Sequence, residues 1–284
     1  MKWAVFNQKG GVGKTSITCN LAAAFAKAGR KVLVLDLDAQ CNSSHYLMGE
    51  SYSSSDKNIA DFFSSTLSFK LFKNSLKEAM YQTSYDSLQI VPASPELKEL
   101  QPKLEGRYKI FKLNEAIEAI IESEEIDDVF FDTPPAMNFY TMSALMASDR
   151  VLIPFDCDAF SAEAILSVMD VVDEVATDHR PNLEIEGIII NQFQSNAKLP
   201  QKTIENLLSQ GFKVISPFLS SSIIMRESHG VGTPLAYYRP NHKLSQEFKM
   251  LAANLIKVSD AHRSPPEPEF PKKTSTAKLQ KHQD

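Results

Sequence analysis

The glycine-rich stretch of residues 7–16, NQKGGVGKTS, constrains this chain most, because the short apolar run WAVF stands directly before it. An apolar run, a loop with three glycines and a following helical pattern predict a strand, a tight loop and a helix. Backbone N–H groups at such a helix N-terminus favour an anion. The end of the stretch, Gly13-Lys14-Thr15, fits the phosphate-loop pattern G-x-x-x-x-G-K-[ST], although Gln8 occupies the place of the first glycine. The candidate phosphate-contacting residues are Gly10, Gly11, Val12, Gly13, Lys14, Thr15 and Ser16.

The apolar segments alternate between two periodicities, and this alternation predicts the fold class. Seven short runs are rich in Val, Ile and Phe and lack clean alternation, which is typical of strands buried on both faces of a parallel sheet. They are residues 3–6, 31–36, 88–94, 127–132, 150–155, 186–191 and 212–218. Between them, apolar residues recur at helical spacing. The three faces are Ile17, Leu21, Ala24 and Ala28; Leu113, Ile117, Ile120 and Ile121; and Ile165, Val168, Val172 and Val175. We therefore predict an α/β fold with a doubly wound, mostly parallel sheet flanked by helices.

Three aspartates stand where predicted strands end. Asp36 and Asp38 follow the second run in VLDLDAQ, and Asp132 ends a later run in VFFDTPP. Ligands of doubly wound sheets lie at the carboxyl ends of the strands. A Mg²⁺–triphosphate site needs acids there, one to hold the metal through water and one to orient the attacking water. Taken alone, such an Asp is most often a cap or turn residue, but beside a phosphate loop we expect a metal–nucleotide site.

Charge, cysteines and hydropathy exclude several classes of protein. The formal charge of −5 and the pI near 5.7 exclude a uniformly basic nucleic-acid coat, while a local basic patch stays open. Cys19, Cys41 and Cys157 form neither a disulfide framework nor a pair at metal-ligand spacing, so we expect a reduced cytosolic protein. The N-terminal apolar run is too short for a signal peptide. No apolar window approaches the roughly 20 residues that span a bilayer.

Two regions depart from the alternation of strands and helices. Residues 43–87 contain the serine run SYSSS and then IADFF and LKEAM, which predict short helices with a mobile loop between them. The C-terminal end begins SPPEPEFP and offers little to bury, so we expect disorder from about residue 262. The predicted organisation is one domain over residues 1–258 and a tail over 259–284.

Three motifs together resemble one protein family. KGGVGKTS, DLDAQCNSS and FFDTPP are similar to the deviant Walker A, Walker A′ and Walker B motifs of the ParA/MinD family of ATPases, specifically its ParA-like partition branch. The likeness extends over most of residues 1–258 and includes VPASPELKEL and RESHGVGTPL. The resemblance implies an ATP-dependent switch that uses ATP and Mg²⁺ and dimerises as a nucleotide sandwich.

The resemblance also gives a role to Lys9, which a phosphate loop does not itself require. In the family, the lysine at this position crosses the dimer interface and contacts the phosphates bound by the other subunit. A cation delivered in this way neutralises charge on the triphosphate and makes dimerisation depend on ATP. The alternative is a solvated loop lysine.

By the same resemblance, Lys9, Lys14 and Asp38 are the candidate catalytic residues. Lys14 and Thr15 hold phosphate and Mg²⁺, Asp38 positions the hydrolytic water beside the metal, and Asp132 supports the metal through the ligands around it. Asn191 matches a family position near the adenine base, where an amide can both donate and accept. A strand-end Asn that caps a loop remains an equal alternative.

The chain departs from the family pattern at two positions. Members usually have Pro where Ala39 stands and Gly where Cys41 stands. Both positions lie in the loop that carries Asp38, so the resemblance supports ATP binding better than it supports a rate of hydrolysis.

A basic segment near the C-terminus is the candidate DNA-binding surface. Residues 239–257 hold four cations against the single acid Glu247. If 244–257 is a helix, Leu244, Phe248, Leu251 and Leu255 face the core and leave the cations outward. The candidate DNA-binding residues are Arg239, Lys243, Lys249 and Lys257. Similar residues contact DNA phosphates in the family without sequence preference, and a solvated helix face is the alternative.

The resemblance predicts a cytoplasmic, nucleoid-associated ATPase that partitions a plasmid or chromosome region. A ParB-like adaptor would stimulate hydrolysis and release the dimer from DNA. Because the phosphate loop begins within ten residues of Met1, we expect no N-terminal helix-turn-helix and no operator binding. The tail has only Phe270 and Leu279 as large apolar residues, so we expect neither the amphipathic helix of a membrane-bound relative nor a membrane partner.

Other functions of the same scaffold remain as alternatives. A ParA-like ATPase that positions a protein assembly would share every motif, because the discriminating residues belong to the adaptor. An iron–sulfur ATPase would need paired cysteines, and the chain has no C-x-x-C. A tyrosine kinase of this superfamily would have a C-terminal tyrosine cluster, whereas Tyr237 and Tyr238 lie inside the predicted domain.

Overall fold

The computed structural model describes residues 1–53, 56–67, 75–107, 109–157 and 162–263. Eight strands of these ranges form one sheet. The strands are β1 (Lys2–Val5), β2 (Val32–Asp36), β3 (Tyr81–Gln82), β4 (Leu88–Val91), β5 (Asp128–Asp132), β6 (Arg150–Asp156), β7 (Glu184–Asn191) and β8 (Val214–Ile215). The helices are α1 (Lys14–Lys27), α2 (Asn42–Met48), α3 (Ile59–Leu67), α4 (Leu97–Glu105), α5 (Lys112–Glu124), α6 (Phe139–Ala147), α7 (Ala162–Asp178), α8 (Lys198–Ser209), α9 (Ile223–Gly230), α10 (Leu235–Tyr238) and α11 (Lys243–Arg263). No helix in these ranges is long and apolar enough to cross a bilayer.

The sheet is doubly wound, as the sequence predicts. Its strand order is β3-β4-β2-β5-β1-β6-β7-β8, and every neighbouring pair is parallel except β3 with β4. The chain therefore starts in the middle of the sheet and builds outward in both directions. This order places the carboxyl ends of β1, β2 and β5 side by side, where the phosphate loop and the three aspartates follow.

Helices cover both faces of the sheet, which explains why the central strands have no polar face. Val32 and Val34 of β2 point to one face and pack in a cluster with α1 and α11, whereas Leu33 and Leu35 point to the other. All residues of β1, β2 and β5 are buried. The sequence dictates this arrangement, because a strand without a polar face must bury both sides.

The seven predicted strands are confirmed, and one further strand was missed. β3 is the antiparallel edge strand and has only two residues, too few to show a period. The run at 212–218 is also shorter than expected, since only Val214–Ile215 pair with β7. Short edge strands are common because long ones would offer unpaired backbone groups to another chain.

The predicted helical faces are confirmed with one correction. Ala28 was placed on the buried face of the first helix, but α1 ends at Lys27 and Ala28 is exposed. Gly29, at φ +90°, turns the chain away, because glycine adopts the left-handed conformation without steric cost. The short helices predicted within 43–87 are present as α3 and a 3₁₀ turn at Leu76–Ala79. The loop predicted between them falls on residues 68–74, outside the described ranges.

The last helix continues through the predicted domain boundary. α11 is predicted over 244–257 and extends from Lys243 to Arg263, with Leu244, Phe248, Leu251 and Leu255 buried as expected. The boundary between 258 and 259 therefore lies inside a helix, as does residue 262, from which we expected disorder. The rest of the predicted tail lies outside the described residues.

Candidate functional site

The glycine-rich loop joins β1 to α1 and has the backbone of an anion-binding loop. Gly11 and Gly13 have φ values of +80° and +93°, in the left-handed region that favours glycine. Gly13 also lies against Asn191, and a Cβ at Gly13 would come within 2.2 Å of the Asn191 amide nitrogen. That nitrogen donates to the carbonyl oxygen of Val12 at 2.9 Å. Asn191 thus supports the loop, as the capping alternative predicts, and its contact with a base remains a prediction.

Lys14 is the buried cation of this loop. Its Nζ donates to the carbonyl oxygen of Lys9 at 2.8 Å, and the residue is 7% exposed. Burial lowers the pKa of Lys14, while the charges of Asp132 and Asp38 oppose this shift. A buried ammonium held by one backbone carbonyl is suited to bind phosphate oxygens, because it is already desolvated and oriented.

Thr15 and Asp132 lie together, as the sequence predicts. Thr15 Oγ1 and Ser43 Oγ both donate to Asp132 Oδ2, at 2.8 and 2.7 Å. The other carboxylate oxygen, Oδ1, is buried and makes no hydrogen bond with the described part of the chain. An unpartnered buried carboxylate oxygen beside a threonine hydroxyl is a donor set that suits a hydrated Mg²⁺. The residues present therefore fit the metal.

Asp36 and Asp38 occupy different environments at the end of β2. Asp36 is fully buried, and its Oδ2 accepts from the Ser44 N–H at 2.9 Å and the Ser44 hydroxyl at 2.7 Å. Asp38 is partly exposed, and its Oδ1 accepts from the N–H of Gln40 at 2.9 Å. The exposed acid is thus the one placed to reach a water molecule, and the buried one braces the loop.

Cys41 explains one departure from the family pattern. It precedes α2 with φ 57° and ψ 29°, the left-handed conformation in which family members have glycine. A residue with a Cβ adopts this conformation at a cost of about 1–2 kcal/mol. The loop that carries Asp38 therefore has a left-handed residue at the position where the resemblance leads us to expect glycine.

The cleft beside the loop has a volume of about 510 Å³. Gly11, Gly13, Ser16 and Asn191 line one side of it. The segment Ser220–Ser222 and helix α9 line the other, through residues that include His229. His229 Nε2 and Ser16 Oγ share a hydrogen bond of 2.9 Å. The cleft is large enough for a nucleoside beside the phosphate loop.

Sequence reasoning missed three residues of this site. Ser43, Ser44 and His229 stand in the quoted motifs DLDAQCNSS and RESHGVGTPL, but neither motif indicates what their side chains contact. The two serines bond to the buried aspartates, and His229 bonds to a residue 213 positions away. Only the serines, two hydroxyls shortly after a strand-end acid, carry a signal that the sequence could have supplied.

Lys9 lies at the start of the loop. Its backbone N–H donates to Asn7 Oδ1 at 2.9 Å, and its carbonyl oxygen accepts from Lys14. Both contacts use the backbone, so they hold the loop without using the Lys9 ammonium. The role of Lys9 across a dimer interface remains a prediction.

The basic segment at 239–257 presents its cations outward. All four candidate DNA-binding residues are exposed. They are Arg239, Lys243, Lys249 and Lys257. Glu247, the one acid of the segment, is 9% exposed, and its carboxylate accepts from the N–H and the hydroxyl of Ser220. The acid is thus mostly buried, and its Oε1 also forms an ion pair with Lys243 Nζ at 3.7 Å, one turn earlier on α11.

Comparison with known proteins finds relatives along most of this chain. A family model described as "AAA domain" matches residues 2–185. The chain is 31% identical over 266 residues to the chromosome partitioning protein ParA of Myxococcus xanthus, covering 92% of this chain and 89% of that protein.

Solved structures show the same fold. The chain matches the cobyrinic acid a,c-diamide synthase of Mycobacterium smegmatis, solved with ADP and magnesium, with a TM-score of 0.77 and 20% identity over 92% of this chain and 96% of that one. It matches the cell division ATPase MinD of Pyrococcus furiosus with a TM-score of 0.72 and 21% identity over 90% and 98%. At such identities these likenesses concern the fold alone.

Proposed function

Since this chain belongs to the ParA/MinD family of P-loop ATPases, we propose that it is an ATP-dependent dimerising switch that partitions or positions DNA cargo. In the ATP state the dimer binds DNA without sequence preference, and a ParB-like adaptor stimulates hydrolysis and releases it. The observation that carries this proposal is the buried Lys14 beside the pair formed by Thr15 and Asp132, at the carboxyl ends of β1 and β5. The similarity to a chromosome partitioning protein supports the choice of cargo.

Each residue of the site has a part in this function. Lys14 and the backbone amides of the loop bind the phosphates, and Asp38 orients the attacking water. Thr15 and Asp132 would hold Mg²⁺, which neutralises phosphate charge when bound. Lys9 reaches the phosphates of the partner subunit and makes the dimer depend on ATP.

The proposed switch is tested by two lysine substitutions. Lys14→Ala should lose nucleotide binding, because no other buried cation is described at the phosphate loop. Lys9→Ala keeps the backbone contacts of residue 9 and should still bind ATP, but it should remain monomeric. A binding titration with ATP measures the first effect, and size-exclusion chromatography in ATP and in ADP measures the second. A Lys9→Ala dimer of wild-type stability in ATP would contradict the trans role.

The proposed DNA surface is tested by charge reversal. Changing Arg239, Lys243 and Lys249 to Glu should abolish retardation of non-specific DNA at low salt while ATP-dependent dimerisation remains. The matched control reverses Lys198 and Lys202, which are exposed on α8 on the opposite face of the sheet. Binding of this kind weakens steeply with salt. If wild-type protein saturated with ATP and Mg²⁺ leaves DNA unretarded, the DNA function is wrong.

Identifying the adaptor would distinguish a role in DNA partition from a role in positioning a protein assembly. An Asp38→Ala variant should hydrolyse ATP poorly and therefore stay in the ATP state. The proteins it captures from its own cells, compared with those captured by Lys14→Ala, should include a DNA-bound adaptor. An adaptor that belongs to a protein assembly would instead replace DNA as the cargo.

A further inference from the structure

His229 joins two parts of the site that are distant in sequence. It lies near the end of α9, is partly buried, and shares a hydrogen bond of 2.9 Å between its Nε2 and Ser16 Oγ. Ser16 belongs to the first turn of α1, directly after Thr15. Burial lowers the pKa of His229, which favours the neutral form of the ring near pH 7.

The other contact of the His229 ring is with α2. The ring stacks on Tyr46 with a centroid separation of 4.0 Å and an interplanar angle of 15°. The Tyr46 hydroxyl shares a hydrogen bond of 2.5 Å with Ser228, the neighbour of His229. The first turn of α2 supplies Ser43 and Ser44, which donate to Asp132 and Asp36. One imidazole therefore touches both the phosphate-loop helix and the helix that braces the strand-end acids.

Asn20 forms hydrogen bonds with both Ser16 and Tyr46. Its side-chain amide nitrogen donates to the Ser16 carbonyl oxygen at 2.8 Å and to the Tyr46 hydroxyl at 3.2 Å. Its amide oxygen accepts from the Leu235 N–H at 2.8 Å. Several hydrogen bonds thus connect Ser16, Tyr46 and α9 to one another.

We propose that His229 is a positioning residue that orients the Ser16 hydroxyl toward nucleotide phosphate and links that contact to α2. With its proton on Nε2, the neutral ring donates to Ser16 Oγ and leaves the hydroxyl proton for a phosphate oxygen. A movement of Ser16 on nucleotide binding is passed through the stacked rings to α2 and its two serines. This inference rests on the proposed ATP function, since it concerns the same site.

The first test separates the two contacts of the ring. His229→Phe keeps an aromatic ring against Tyr46 but loses the hydrogen bond, so the Kd for ATP should rise about fivefold, the effect of one lost neutral hydrogen bond. His229→Gln places an amide nitrogen at the Nε2 position and should restore most of the affinity. Adding Ser16→Ala to His229→Phe should cause no further loss, because both changes remove the same interaction.

The second test follows α2 directly by hydrogen exchange. Wild-type protein should gain protection of the amides of residues 42–48 when a non-hydrolysable ATP analogue and Mg²⁺ are added. His229→Leu, which loses both contacts, should lose that gain, and His229→Phe should lose most of it as well, because its ring still lies on Tyr46 but no longer bonds to Ser16. Circular dichroism melts of each variant confirm that the fold is intact.

The outcomes distinguish this inference from the proposed function. If wild-type protein does not bind ATP, the proposed function fails and this inference falls with it. If wild-type protein binds ATP and His229→Phe binds it equally well, only the role of His229 is overturned. The same conclusion follows if the losses from Ser16→Ala and His229→Phe add, or if His229→Leu keeps the protection of α2.

Discussion

Asp36 and Asp132 are paired in the register of β2 and β5. Two buried carboxyl groups therefore lie side by side at the carboxyl ends of these two strands. Burial is the largest cause that raises the pKa of each, to about 8 for Asp36 and about 6 for Asp132. The charge of Asp132 adds to the shift of Asp36, whereas the hydrogen bonds from Ser43 and Ser44 oppose the shifts. The direction of both shifts favours a proton on this pair near neutral pH.

At the residue scale, we expect this proton to make stability depend on pH. Both folded-state pKa values lie above the unfolded value near 4, so the contribution is complete below about pH 4 and is lost as the pH rises toward 8. The slope is at most about 1.4 kcal/mol per pH unit for one proton. Denaturant unfolding of nucleotide-free and Mg²⁺-free protein at several pH values measures it. Asp36→Asn should flatten this slope.

The matched control for that experiment is Asp170→Asn, because Asp170 is exposed on α7. The control should keep the wild-type slope. Equal slopes in wild-type protein and Asp36→Asn would show that Asp36 is ionised in the folded state.

At the element scale, β7 depends on one glycine for its place in the sheet. Gly187 has φ +150°, and a Cβ there would come within 2.8 Å of both the Ile215 side chain and the Lys213 carbonyl oxygen. The register of β6 and β7 also shifts at this point, between Val151 and Leu152. The close approach of β8 to β7 therefore requires glycine, and β7 in turn carries Asn191 to the phosphate loop.

We expect Gly187→Ala to lower the free energy of unfolding by about 2 kcal/mol, the usual effect of forcing atoms into a packed region. The control is Gly106→Ala, since a Cβ at Gly106 would meet its nearest neighbour at an ordinary 3.6 Å and the backbone there is helical. The control should change stability by less than about 0.5 kcal/mol. Chemical denaturation compares the two variants. Equal effects would mean that Ile215 and Lys213 move aside at little cost to make room for the added methyl group.

Most of the architecture and part of the site follow from the sequence, for identifiable reasons. The phosphate loop, Lys14, Thr15 and Asp132 are predictable because the motifs around them are local and their strand-end positions converge at one sheet edge. His229 is not predictable, since its hydrogen bond joins two residues that are 213 positions apart in sequence. Strand β3 could not be predicted, because two residues are too few to show the periodicity of a strand.

At the scale of the whole molecule, Asp128 ties three elements to the base of the sheet. This fully buried acid accepts hydrogen bonds from Trp3 Nε1 at 3.1 Å, Arg30 Nε at 2.9 Å and Ser259 Oγ at 2.7 Å. The three donors come from β1, the turn after α1, and α11. Asp128 thus connects α11 to β1 through hydrogen bonds from Ser259 and Trp3.

Asp128→Asn should lower the free energy of unfolding by about 3 kcal/mol, because it leaves the Arg30 guanidinium without its buried partner. Asp260→Asn is the control, since Asp260 also pairs with Arg30, at 2.6 Å, but its side chain is 57% exposed. Exposed pairs contribute about 0–1 kcal/mol. Thermal and urea unfolding should separate the two variants. Equal losses would show that burial does not set the strength of this pair.

The anchoring of α11 bears on how a nucleotide could control a nucleic-acid partner. The helix is held near its start by Glu247 on Ser220 and at its end by Ser259 on Asp128 and by Arg263 on Asp127. Because contacts hold α11 at both ends, we expect the helix to keep its lysines exposed whether or not a nucleotide is bound. Affinity for a polyanion would then depend on how many copies of α11 one particle carries, one in a monomer and two in a dimer. Two linked weak sites can bind more tightly than one by orders of magnitude.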